Sequence, residues 1–212
     1  MKFLSILLIS FSLMSCAQTD AHASSAHDAN SPEMNKDLDS LQTAYFASGC
    51  FWCVEAIFES VKGVQEAVSG YSGGTTKNPT YQEIGTGKTG HAESVKVYYD
   101  SSVVSYETLV EVFFNSHNPS TLNRQGPDAG TQYRSAIFYE TDEEREIAQA
   151  AIKKLRSEGT RVTTEVSPLD VFWVAEDYHQ DYEKLHPNQS YVKAVSIPRL
   201  NAFKAKMPEV LK

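Results

Sequence analysis

Cysteine is scarce in this chain, with three in 212 residues. That excludes a scaffold stapled by several disulfides, so the domain has to hold itself together with an apolar core. Basic charge is short as well: Lys and Arg number 19 against 27 Asp and Glu, a net charge of −8. Without a basic excess nothing offsets repulsion from a phosphate backbone, which argues against a nucleic-acid partner. No internal repeat is visible. The apolar run near the N-terminus is too short for a comfortable membrane span.

What is present begins with a leader. MKFLSILLISFSLMSC has one Lys, then an apolar run with small hydroxyl residues, then Leu13-Met14-Ser15-Cys16. A basic start, a short apolar middle and a small residue before the cut mark a secretory signal over residues 1–15. The ending resembles a bacterial lipobox, in which the cysteine becomes the lipidated first residue. Several acyl chains on Cys16, at about 0.8 kcal/mol per buried methylene, would hold the protein to a membrane without a spanning helix. The expected location is therefore the bacterial cell envelope, as an exported, membrane-anchored lipoprotein. Residues 16–41 are mostly Ala, Ser, Asp, Asn and His and read as a flexible tether, too polar to bury anything. His22 and His27 read as solvated residues of that arm.

Residues 42–212 carry the pattern of one domain. Thr43–Ala47 reads as a short buried strand, Gly49 permits a tight turn, and Phe51–Val61 has helical spacing. Val64–Val68 reads as a strand running into a glycine-rich turn, Gly70-Tyr71-Ser72-Gly73-Gly74. Ser94–Asp100 alternates cleanly as a strand. Ser105–His117 is an amphipathic helix burying Leu109, Val112 and Phe113, and Tyr133–Glu140 is another strand. In Thr141–Glu158, Thr141 and Glu144 form a capping box, Ile147, Ala151, Ile152 and Leu155 make one face, and Gly159 ends the helix. Val162–Val166 alternates again. Interleaved strands and helices indicate an α/β or α+β class. GYSGG, NPTYQEIGTGKTGHAE, HNPSTLNRQGPDAGTQYR and AEDYHQDYEKLHP are too polar and glycine-rich for core, and are loops where a site can sit.

Cys50 and Cys53, in ASGCFWCVE, have three readings. Zinc needs two further closely spaced ligands. There is no second C-x-x-C and no H-x-x-x-H, since His91, His117, His179 and His186 are far apart. A structural disulfide across so short a loop removes little unfolded-state entropy. A reactive pair makes better sense. Cys50, at a helix N-terminus, faces unpaired N–H groups and the positive end of the dipole, which stabilise a thiolate. Cys53, one turn later, points back toward it and can resolve a sulfur intermediate into a disulfide. A thioredoxin-like dithiol would place a small, proline-containing pair between the cysteines; here Phe51 and Trp52 stand there. Glu93, Tyr81 and Tyr133 in the loops would suit a polar oxygen that is protonated as it leaves.

GCFWCVE, NPTYQEIGTGKTGHAE, GPDAGTQYRSAIF and AEDYHQDY, in that order, resemble the A-type methionine sulfoxide reductases across roughly Tyr45 to His186. The resemblance implies an α+β fold with a two-layer ferredoxin-like core. It implies reduction of the S epimer of methionine sulfoxide, free or in oxidised proteins and peptides, with no metal or organic cofactor. It also implies roles. Cys50 attacks the sulfoxide, and Phe51 and Trp52 cage its methyl group. Glu93 protonates its oxygen with Tyr81 and Tyr133 as phenol partners, and Asp128 orders the site. His91 and His179 read as structural. Many members carry Gly where this chain has Cys53 and place resolving cysteines in the C-terminal tail, whereas the tail after His186 has none here. The expected resolving cysteine is Cys53, with a thioredoxin-like donor reducing the bridge; the alternative is direct reduction of Cys50 by an outside thiol. A general dithiol oxidoreductase and a non-catalytic, peptide-binding lipoprotein are the rival functions.

Overall fold

The computed structural model describes Leu38–Lys212. The leader, Cys16 and the tether as far as residue 37 lie outside the described residues. The end of the expected tether is not featureless, because Leu38–Ser40 forms a 3-10 turn ahead of the first strand.

β1 (Gln42–Ser48) is followed by α1 (Phe51–Glu59), β2 (Val64–Ser72), a short α2 (Tyr81–Gly85) and β3 (Ala92–Tyr99). Next come α3 (Tyr106–Asn115), a small hairpin of β4 (Arg124–Gln125) and β5 (Asp128–Ala129), and β6 (Ser135–Tyr139). α4 (Asp142–Ser157), β7 (Glu165–Pro168), β8 (Trp173–Val174), α5 (Tyr182–Leu185) and α6 (Ile197–Lys206) complete the chain. The main sheet has six strands in the order β7-β6-β1-β3-β2-β8. Its four central strands, β6-β1-β3-β2, interleave a β1–α1–β2 unit with a β3–α3–β6 unit. That is the split βαβ arrangement of a ferredoxin-like core, as expected. Among the main-sheet pairings only β6 with β7 is parallel.

The period-two pattern of the strands puts apolar groups on both faces. Ala44 and Phe46 of β1 join Val95 and Val97 of β3 and Ile137 of β6 in the larger core. Phe46 stacks on Phe58 of α1 at 4.8 Å and on Phe113 of α3 at 5.4 Å. Tyr45 and Ala47 point the other way, with Ala92, Ala136 and Phe138, beneath Leu169 and Phe172. On α1, Val54, Ile57 and Phe58 are buried in the core. Trp52, Ala56 and Glu59, the other stripe, line a groove of about 300 Å³. α4 starts at the expected capping box of Thr141 and Glu144.

Two expectations are corrected. The glycine-rich turn at Gly70 is strand, since β2 runs on through Ser72. Gly70 is required by close approach: a Cβ there would lie 2.3 Å from Phe172 Cζ and 2.5 Å from the Trp173 carbonyl oxygen. The strand expected at Val162–Val166 is displaced to Glu165–Pro168, where it pairs with β6.

Candidate active site

β1 ends at Gly49, which takes φ +91°, and a Cβ at that position would meet Gln125 Cβ at 2.6 Å. The turn delivers Cys50 to the N-cap of α1. Both Cys50 and Cys53 are buried free thiols. The next residue carries the link to the acid, for the Phe51 N–H donates to Glu93 Oε2 at 3.1 Å. Glu93, at the start of β3, is 1% exposed, and burial raises its carboxyl to about 8 despite that hydrogen bond. It is therefore a protonated acid at neutral pH, one residue away from a thiol.

Tyr81 opens α2, and Tyr133 ends a 3-10 turn over Thr131–Tyr133. Burial raises the ionisation of both phenols, and charge on Glu93 or Cys50 raises it further. Both phenols therefore stay neutral at neutral pH. Glu176 holds Tyr81 in place, accepting its N–H at 2.9 Å and the Tyr71 hydroxyl at 2.8 Å. Phe51 lies among aromatic rings: His179 at 4.9 Å, Tyr71 at 5.9 Å and Tyr81 at 6.3 Å between centroids. Trp52 stacks on Tyr182 at 3.7 Å and donates its indole N–H to His179 Nδ1 at 3.1 Å. Asp128, on β5, accepts the Tyr191 hydroxyl.

These residues come from segments that are distant in the chain. A buried thiol, a neutral buried carboxylic acid and an aromatic wall are brought together, and the Glu93 charge is felt at both Tyr81 and Tyr133. The model for the family described as peptide methionine sulfoxide reductase matches residues 42–210. This chain belongs to that family. MsrA of Pasteurella multocida is 51% identical over 172 residues, 81% of this chain and 99% of the relative. MsrA of Saccharolobus solfataricus is 45% identical over 173 residues, 81% and 98% of the two chains. Among solved structures, methionine sulfoxide reductase A of Corynebacterium diphtheriae superposes with a TM-score of 0.64 at 39% identity, over 70% of this chain and 76% of the other. Reduced Mxr1 of Saccharomyces cerevisiae gives 0.66 at 31% identity, over 70% and 87%. The protein is a peptide methionine sulfoxide reductase.

The two thiols of the reductase sit in different electrostatic surroundings. The Trp52 N–H at the helix start does favour a Cys50 thiolate, but burial, the Cys53 sulfur and Glu93 outweigh it and push the Cys50 thiol well up. Cys53 goes the other way, to about 6. The hydrogen bond from Cys50 is the largest cause, with Arg199, Ser196 and Tyr191 adding to it against the pull of burial. Burial first of all holds the Cys50 thiol up, while the neighbouring Cys50 thiol and the Arg199 charge lower the ionisation of Cys53.

Sequence reading missed Tyr191, Ser196 and Arg199. They lie in the tail after His186, where the absence of cysteine was the only feature weighed. The segment is in fact a π-helical turn over Val192–Ser196 leading into α6. Ile197, Leu200 and Phe203 there recur at helical spacing, which was a usable signal for the helix but not for its contact with Cys53. Glu176 was likewise read only as part of a motif. His179 braces Trp52, as a structural histidine would. Glu55, Glu59 and Asp181 could share a cation, with ligand atoms within 4.8 Å of one another. That cluster includes none of Cys50, Cys53 or Glu93, and Lys184 Nζ already sits 3.2 Å from Asp181.

Proposed function

We propose that the reductase repairs the S epimer of methionine sulfoxide through a Cys50 sulfenic acid and a Cys50–Cys53 disulfide. The observation that carries this reading is the protonated Glu93 carboxyl tied to the N–H of Phe51. The Cys50 sulfur attacks the sulfoxide sulfur as its proton is released to solvent. Glu93 gives its proton to the sulfoxide oxygen, and Tyr81 and Tyr133 donate hydrogen bonds to the same oxygen. The oxygen passes to Cys50. Methionine sulfur is reduced by two electrons, Cys50 is oxidised by two, and methionine leaves. Phe51 and Trp52 hold the methyl group, and Asp128 orders this side of the site through Tyr191. Cys53 then displaces the oxygen from Cys50 as water, and a thioredoxin-like dithiol reduces the bridge.

Incubating both epimers with enzyme and a dithiol, followed by chiral separation, tests the reading. Loss of the S epimer alone is expected, and equal loss of the R epimer would overturn it. Anchoring through Cys16 is part of the same proposal, supported by the Leu-Met-Ser-Cys ending of the leader. No helix of the described residues is long and apolar enough to cross a membrane. Cys16→Ser is expected to abolish lipid labelling and membrane fractionation; recovery of the native protein in soluble form with its leader intact would refute the anchor.

A further inference from the structure

We propose that Arg134 is a positioning residue for the sulfoxide step: its guanidinium locks the turn that carries Tyr133, so that the phenol is held in place to donate to the sulfoxide oxygen. The proposal rests on the reading above that Tyr133 is a donor to that oxygen.

The turn has few bonds of its own. It follows the run Gly126-Pro127-Asp128-Ala129-Gly130. Gly130 takes φ +145°, and a Cβ there would lie 2.3 Å from Gln132 Oε1. Thr131–Tyr133 is a single 3-10 turn. It is closed by the Tyr133 N–H on the Gly130 carbonyl at 3.0 Å and the Arg134 N–H on the Thr131 carbonyl at 3.3 Å. Bonds of this type have poorer geometry than those of an α-helix. Outside the turn, Thr131 Oγ1 donates to the Gly87 carbonyl at 3.2 Å, but Thr131 is exposed. A short exposed turn tied in this way opens locally at little cost.

Arg134 supplies the clamp. Its side chain is only 10% exposed. Nη1 donates to the Thr131 carbonyl at 3.0 Å, the same oxygen that closes the turn. A carbonyl has two lone pairs and takes both bonds. Tyr133 therefore sits between two residues that are joined through both backbone and side chain. Nε donates to Glu165 Oε2, at the start of β7, at 3.0 Å. Nη2 reaches the carbonyl of Gly73, just past the end of β2, at 3.5 Å. Gly73 takes φ +81°, and a Cβ there would come within 2.8 Å of the guanidinium and 2.5 Å of Phe138 Cε1. The chain is bare where the guanidinium passes. The planar fork thus ties the Tyr133 turn to the ends of two strands of the main sheet. A lysine ammonium has no such fixed fork.

The consequence falls on rate rather than on affinity. A hydrogen-bond donor speeds the reaction when it is already aimed at the place where charge develops. If the turn opens, the sulfoxide oxygen loses that donor. The rest of the site is anchored elsewhere: Glu93 is tied to the Phe51 N–H, and Phe51 packs on His179. The ion pair with Glu165 is not what matters, since that carboxylate is 52% exposed and such pairs contribute little. The bond to the Thr131 carbonyl carries the effect.

The test is a double-mutant cycle on the full chain, read as single-turnover release of methionine and as KM for methionine sulfoxide. Tyr133→Phe and Arg134→Met should each slow release by a similar factor, up to about 10²-fold. In the Tyr133→Phe protein, adding Arg134→Met should change the rate by less than about twofold, because the group it positions is already gone. KM in Arg134→Met should stay within about twofold of the native value. Arg134→Lys keeps the charge beside Glu165 without the fork and should also be slow. If Arg134→Met does not fold, the same cycle is run with Arg134→Lys, with the same expectations. Equal slowing with and without the Tyr133 hydroxyl would make Arg134 a packing residue and overturn the proposal, as would a native rate in Arg134→Met or Arg134→Lys. A native rate in Tyr133→Phe would remove the role of Tyr133 itself, an outcome distinct from a slow Tyr133→Phe beside unaffected Arg134 variants.

Discussion

The backbone N–H of Phe51 donates to Oε2 of Glu93 across 3.1 Å, joining residues 42 apart in the chain. One hydrogen bond thus fixes the acid relative to the residue that follows Cys50. Its second consequence is electrostatic. The carboxyl is sealed from water, and a single amide does not compensate for that burial, so the proton stays on.

Glu93 is therefore expected to set the alkaline limb of the sulfoxide step. Single-turnover release of methionine should hold through neutrality and fall as pH rises through about 8, where the acid ionises. Glu93→Gln still offers an oxygen to the Phe51 N–H but has no proton to give. Its rate should drop by about 10²–10⁴ and lose the limb. Rapid-quench measurement of the first methionine decides the point; a variant within a few-fold of the native rate would assign oxygen protonation to another group.

The two cysteines should fail at different steps. Cys50→Ser is expected to abolish even the first turnover, because an alcohol is a poor nucleophile without a strong adjacent base. Cys53→Ser should keep it, since Cys50 and the protonated Glu93 carboxyl are both still in place. This variant should leave a dimedone-reactive Cys50 and turn over slowly with thioredoxin. A small dithiol should partly rescue it by attacking the sulfenic acid directly. Native steady-state rates with thioredoxin in Cys53→Ser would show that the second cysteine does not resolve the first.

A buried acid outside the reaction should shape stability. Glu55 accepts the Asp181 N–H and the Ser69 hydroxyl, and burial pushes its carboxyl from 4.5 to about 8. The folded protein then keeps a proton that the unfolded chain gives up. The contribution is full below 4.5 and is lost as pH rises through about 8. Thermal midpoints recorded across that window should fall for the native protein and fall less for Glu55→Gln, which keeps an acceptor and does not titrate. Parallel declines would mean that Glu55 is not the group responsible; Glu93 shifts in the same direction and would be the next to test.

The sequence by itself determined the elements and the chemistry on offer. The short apolar run Thr43–Ala47, the alternation in Ser94–Asp100, the Thr141–Glu144 capping box and the glycine before Cys50 are local signals, and local backbone preference is sufficient to act on them. The ordered motifs named the family. Only the tertiary structure decided which groups meet and how they are charged. Glu93 is neutral because of the core that surrounds it, and Asp128 finds Tyr191 across 63 residues of chain. Gly70 reads locally as a turn and is strand because Phe172 presses against it. Burial is the first cause of the raised Cys50 ionisation, and α6 brings an arginine whose charge helps to lower that of Cys53. Ionisation depends on burial and on neighbours through space, and neither is written in the spacing of C-x-x-C.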